Sequence, residues 1–245
     1  MIAVIKLQYR YLLSKISIWF IILIVFLLTV GILFASGFHS NSGLMDINRT
    51  VMNLSFQTES LLILKFALIL VTVFMVIQGY YSQFSKYHLF FLQKPKGKIQ
   101  LGLAKMISVI MMQSLIGFYG MSVIHLTGLY LTPFFEISFP YILAICYVIL
   151  EMMILGLIGS ILIQLIDSIF SGLLPLILYW FVEMNVDYER IYQSEPLQLL
   201  YSVLSNPILF QSEWVIVYSL SHYLILGCFL AVFNIAIFMF RDIKA

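Results

Sequence analysis

Few side chains in this 245-residue sequence can do chemistry, and several of those stand alone inside apolar runs. Glu151 sits near the middle of the run Phe139 to Ile166. A charge at that depth in hydrocarbon costs roughly 2.5–3.5 kcal/mol on insertion scales, so the carboxyl is protonated, paired or facing a wet cavity. Two readings follow: a place on a transport route or at a subunit interface, or a neutral carboxyl bonded to a neighbouring helix. His222 and Asn234 in the last run, His125 in the third and Gln164 in the fourth are candidate partners, and residues of these types also serve as interhelical glue. Glu151, His222 and Asn234 are taken as candidates for a translocation path or interface. Lys65 reads as a residue near the outer end of the second run that snorkels to the surface, and Asp167 as part of a tight turn. No Ser, His and Asp arrangement, paired carboxylates or His-Glu metal motif has a spacing that serves intramembrane catalysis. No GxxxxGK[ST] occurs to cradle nucleotide phosphates. No catalytic residue, cofactor-binding residue or metal ligand is therefore assigned. Cys146 and Cys228 lie in apolar runs, and no disulfide is expected.

The elements that hold these residues follow from composition. Hydrophobic residues make up 62% of the chain and charged residues 10%, whereas about a quarter of a soluble domain's residues are charged. The expectation is a polytopic membrane protein forming a single transmembrane domain over residues 1–245. Apolar runs extend over approximately Ile16 to Ser36, Ser60 to Tyr81, Leu103 to Tyr130, Phe139 to Ile166, Ile169 to Val182 and Val215 to Phe240. Backbone amides in hydrocarbon must be bonded within their segment, and the runs do not alternate as barrel strands would, so the fold class is all-α with six transmembrane helices. Pro175 in the short fifth run predicts a kinked or tilted span. Gly156 and Ser160 form a small-xxx-small pair that serves a dimer contact or internal packing. The N-terminus lacks the pattern of a removable signal peptide.

Charge asymmetry sets the expected orientation. Lys6, Arg10, Lys15, Lys86, Lys94, Lys96, Lys98, Lys105, Arg241 and Lys244 fall on one side, against Arg49, Lys65 and Arg190 on the other. The positive-inside rule puts both termini in the cytoplasm of a multi-pass cell-membrane protein. Residues 1–15 read as an amphipathic interfacial helix. Ile2, Ile5, Tyr9, Leu12 and Ile16 share one arc for the acyl chains, and Lys6, Arg10, Ser14 and Ser17 form a second stripe facing anionic headgroups. Between the second and third runs, Ser82 to Lys105 reads SQFSKYHLFFLQKPKGKIQLGLAK and carries five of the thirteen Lys and Arg residues. Phe84, Tyr87 and Phe91 recur at i, i+3 and i+7 along one edge of a short helix, before Pro95 and Gly97 break it into a basic turn. A topogenic loop explains the lysines. It does not explain the aromatic edge, which suits a docking surface.

These features together resemble the type 2 family of ATP-binding-cassette exporter permeases. The resemblance rests on the amphipathic N-terminal helix, six spans, the segment FSKYHLFFLQKPKGKIQLGLAK opening span three at Leu103-Ala104-Lys105, and the long outer connection before the last span. It implies a cytoplasmic coupling helix within residues 82–102 that docks in a cleft of a separate ATPase subunit, through Phe84, Lys86, Tyr87, Phe90, Phe91, Lys94 and Pro95. Many family members carry an acidic residue in or before this helix, and Ser82 to Lys105 contains none. Residues 185–213, with Pro196 and Pro207 bounding an apolar stretch, resemble the family's short outer re-entrant helices. The implied partners are the ATPase, which would carry ATP and Mg, a second permease copy or paralogue, and the lipid bilayer, with no nucleic acid. Within the family the chain looks most like short Gram-positive permeases for peptide export or bacteriocin immunity. An amphipathic or hydrophobic cargo, such as a membrane-active peptide, is expected. Two other classes stay open: an ion- or proton-coupled secondary transporter centred on Glu151, and a non-transporting membrane scaffold or sensor.

Overall fold

The computed structural model describes residues 2–13, 19–20, 22–24, 26–27, 30–31, 49–81, 96–131, 135–185 and 213–240. These residues are helical apart from short connections, and no strand occurs among them. The helices are α1 (Ile2–Leu13), α2 (Arg49–Val76, continued by a π turn over Ile77–Tyr81), α3 (Gly97–Leu131), α4 (Phe139–Ile166), α5 (Ile169–Asn185) and α6 (Glu213–Phe240). Four of them, α2, α3, α4 and α6, are long and apolar enough to cross a membrane, and α5 contributes a shorter apolar stretch, Ile169–Tyr179. Four such helices suggest a membrane protein. The first expected run, the aromatic segment with Phe84, Lys86, Tyr87, Phe90, Phe91, Lys94 and Pro95, and the outer stretch between α5 and α6 lie wholly or largely outside the described residues.

Helix α4 is the hub. It has no single apolar face, as in a helix surrounded by lipid or protein, and α2, α3, α5 and α6 all pack on it. At its start, Ser138 accepts a hydrogen bond from the Tyr141 backbone N–H (3.3 Å) and Pro140 occupies the first turn, both familiar helix-initiating features. Asp167 ends it in the left-handed conformation (φ 57°), its N–H bonded to the Ile163 carbonyl at 2.9 Å. The turn then delivers α5 back along α4. A Cβ on Gly159 would stand 2.8 Å from the Gly172 carbonyl oxygen, so two glycines let these backbones meet. Helix α5 continues through Pro175 as a single element.

Both ends of the bundle are closed by aromatic residues lying over glycines. At one end Phe56 of α2, Phe135 of the α3–α4 connection and Tyr141 of α4 meet edge to face, with centroids 5.1 and 6.2 Å apart, the geometry that aromatic quadrupoles favour. A Cβ on Gly128 would collide with both phenylalanines, and the Gln57 side chain holds the connection by donating to the Glu136 carbonyl at 2.9 Å. At the other end Phe238 of α6 fills the space over Gly102 of α3.

The structure adds to or departs from the sequence expectations at three places. Helix α2 begins at Arg49, well before the expected run start at Ser60, while its membrane-length apolar stretch is Ile63–Tyr80, so Lys65 stands near the start of that stretch but more than four turns inside the helix. Its side chain is 3% exposed and does not snorkel. Lys105, counted among the cations that set the expected orientation, is buried, with its ammonium 6.0 Å from the Phe238 ring centroid. Helix α1 turns Val4, Gln8 and Leu12 against the bundle, so the expected apolar arc is divided, with Leu12 buried in protein and Ile2, 84% exposed, left open to lipid. The expected arc suits a helix floating on lipid. Packing on α3 turns it by roughly a quarter turn.

Candidate functional site

A polar seam runs down the contact between α2 and α4. Lys65 is followed by Thr72 and Tyr80, about two helical turns apart each time, and all three are buried. In an unbroken α-helix Tyr80 would stand about 60° round from Lys65. The π turn at Ile77–Tyr81 turns the chain less per residue and reduces that offset, and such turns recur at functional sites. Helix α4 answers with Glu151, Gly156 and Ser160.

The first contact is an ion pair. The Lys65 ammonium lies 3.7 Å from a Glu151 carboxylate oxygen, with the two side chains 3% and 1% exposed. The same ammonium sits over the Tyr179 ring of α5 at 4.8 Å from its centroid, a cation–π contact strengthened by desolvation. Insertion of the two charges separately costs about 5–7 kcal/mol. Their attraction at this separation returns about 4 kcal/mol at an effective dielectric near 20, with Tyr179 adding to it. The pairing makes the charges tolerable at this depth without making them a large net source of stability.

The second contact joins three helices. Gln113 of α3 donates from its side-chain amide to the Thr72 hydroxyl at 3.2 Å, and Gly156 leaves the space this pair occupies, since a Cβ there would lie 2.7 Å from the amide nitrogen. The third joins α2, α4 and α6: the Tyr80 hydroxyl donates to the side-chain oxygen Oδ1 of Asn234 at 3.3 Å, and the Asn234 side-chain amide donates to the Ser160 hydroxyl. The small pair Gly156 and Ser160 thus serves internal packing. One turn beyond Ser160, Gln164 is 4% exposed and neither amide atom has a partner among the described residues.

Of the candidates for a path or interface, Glu151 and Asn234 are buried in the seam at separate levels, and His222 is exposed on α6. His125 packs against Phe135 with centroids 5.3 Å apart, in the aromatic end. The partner that Glu151 meets is Lys65. Sequence reasoning missed Lys65, Thr72, Tyr80 and Gln113. A signal was present for the first two: Lys65 and Thr72 share a seven-residue spacing on one face, and Lys65 and Glu151 are lone opposite charges in their apolar runs. Among the described residues no three His, Cys, Asp or Glu side chains gather in a way that could hold a metal ion.

A second cluster lies near the end of the bundle where α2 finishes and α3 begins. Lys96 takes a left-handed conformation (φ 62°) and caps α3, its carbonyl bonded to the Gln100 N–H at 3.1 Å. Helix α1 is tied to α3 where the Ser108 hydroxyl donates to the Ile5 carbonyl at 3.4 Å. Leu12 joins Val76, Tyr80, Val109, Met112 and Ile163 in one apolar cluster. Lys6, Arg10 and Lys96 remain exposed. Neither a protein-family model nor a curated protein sequence matches this chain, and its own geometry characterises it: a charge-paired polar seam running toward the end of the bundle where α2 finishes at Tyr81 and α3 begins at Gly97.

Proposed function

We propose that this chain is the permease subunit of an ATP-driven exporter, with six spans, cytoplasmic termini and a coupling segment within residues 82–102 that docks on a separate ATPase. The observation that carries the reading is the convergence at one end of the bundle. Helix α1 seats on α3, and residues 82–95 connect α2 to α3. The exposed cations Lys6, Arg10 and Lys96 add a basic character there. A partner pressing on the connection would act on the last turn of α2, where Tyr80 links to Asn234 and Ser160. Rigid-body shifts of packed helices are an established way for such a push to reach an interface. ATP and Mg would be held by the partner, and two permease chains would enclose the route. The cargo class is amphipathic or hydrophobic, with a membrane-active peptide as the leading example, on the analogy with short Gram-positive permeases.

The test is co-purification from host membranes of wild type and of Phe84→Ala/Tyr87→Ala/Phe91→Ala. The proposal expects an ATPase with the wild type and its loss from a variant that remains folded. An ATPase that never accompanies the wild type contradicts it. The buried acid–base pair favours a second reading, a proton-coupled carrier in which Glu151 titrates. That reading expects proton-driven flux that needs no ATPase and disappears in Glu151→Gln.

A further inference from the structure

Helix α1 contains two cations and no acid. Its buried residues Val4, Gln8 and Leu12 define the face toward the bundle. At about 100° per residue, Lys6 and Arg10 project from the opposite face. Both are exposed, and neither forms an ion pair among the described residues. Four residues apart on a helix, their Cβ atoms stand about 5–6 Å from each other, where like charges destabilise the helix until an anion comes between them. Exposed apolar side chains flank this stripe: Ile2 at 84% and Leu7 at 39%.

The level of α1 identifies the anion. The Ser108 hydroxyl meets the Ile5 carbonyl, and from Ser108 to Tyr130 helix α3 runs about 33 Å at 1.5 Å per residue. The hydrocarbon core of a bilayer is about 30 Å thick. Tyr130 is 81% exposed, the amphipathic aromatic type that gathers at a membrane boundary. With Tyr130 at one boundary, α1 lies at the other, level with headgroup phosphates. We infer that Lys6 and Arg10 form a headgroup site for an anionic phospholipid, its phosphate between the two cations and its acyl chains against Ile2 and Leu7. An acidic protein surface would answer the charges but would leave Ile2 and Leu7 facing a polar partner. The inference is independent of any ATPase.

Such a site bears on the bundle. Leu12, on the opposite face of α1 and fully buried, packs in the cluster that includes Tyr80 and Ile163. A lipid that pins α1 therefore holds Leu12 in place beneath the lower end of the polar seam.

The test uses the full chain in nanodiscs of phosphatidylcholine alone or mixed with phosphatidylglycerol, with retained lipid quantified by mass spectrometry and stability followed by thermal unfolding. Wild type is expected to enrich phosphatidylglycerol and to unfold at higher temperature when it is present. Lys6→Gln/Arg10→Gln should lose both effects, with enrichment falling by about fivefold per cation removed. Lys6→Arg/Arg10→Lys should retain both, which separates loss of charge from loss of folding. Lys96→Gln, at the start of α3, should also retain them. Enrichment that survives Lys6→Gln/Arg10→Gln, or that falls equally in Lys96→Gln, overturns the site in favour of a diffuse basic field. Recovery of an acidic protein on wild-type α1 with no lipid enrichment overturns it as well.

Discussion

Helices α4 and α6 are the same length, 28 residues each, and both are apolar enough to cross a membrane. Yet 67% of the apolar window of α4 is buried inside the chain and 17% of that of α6. Hydrophobicity alone does not separate them, because lipid and protein interior accept the same side chains. Small and polar residues do. Helix α4 carries Glu151, Gly156, Gly159, Ser160 and Gln164, each turned toward another helix or buried, and α6 turns Asn234 inward while presenting Ile225, Phe229 and Val232 outward. A spanning helix becomes a hub by offering bonding partners and close approach, since apolar burial gives little preference for helix over lipid.

The comparison breaks most sharply at Glu151. Replacing it with Gln leaves the Lys65 ammonium buried beside a neutral group, and the loss should be about 3–5 kcal/mol, measured by reversible unfolding in mixed micelles. Next is Gly159→Ala. Its new methyl meets the Gly172 backbone, which cannot swing aside, so α4 and α5 must separate at a cost of about 1–3 kcal/mol. Gly156→Ala should cost less, because the Gln113 amide it meets is the end of a flexible side chain; thermal shifts of the two variants side by side check the order. Tyr80→Phe removes one hydroxyl from the seam and should cost about 0.5–1 kcal/mol, read in the same unfolding assay. Ile225→Leu and Val232→Leu on the outward face of α6 should stay within about 0.5 kcal/mol of wild type. A larger loss in thermal unfolding would mean that this face packs against protein.

Much of the helical plan was legible from apolar runs: α4 occupies the expected residues, and α5 and α6 closely follow theirs, because hydrocarbon length and backbone bonding constrain them strongly. The start of α2 was not, since residues 49–59 are polar enough to read as a loop yet continue the helix. Reading Lys65, near the start of the apolar stretch Ile63–Tyr80, as a snorkelling residue hid its pairing with Glu151. Asn234 and Glu151 were legible as polar residues in apolar runs, but their partners were not, because rotational phase decides them and the π turn alters that phase at Tyr80. The burial of Lys105 depends on Phe238, far along the chain, and on Gly102 making room for that ring. No local pattern announces such a contact.

The claim that α2 and α4 are joined by a charge pair is tested most directly by a double-mutant cycle on Lys65→Met and Glu151→Leu, with unfolding free energies measured for wild type, both single variants and the double variant. The account predicts that each single change is strongly destabilising, that the double variant recovers most of the loss, and that the coupling is at least about 2 kcal/mol. Additive losses, with the double variant as unstable as the two single effects combined, would contradict it.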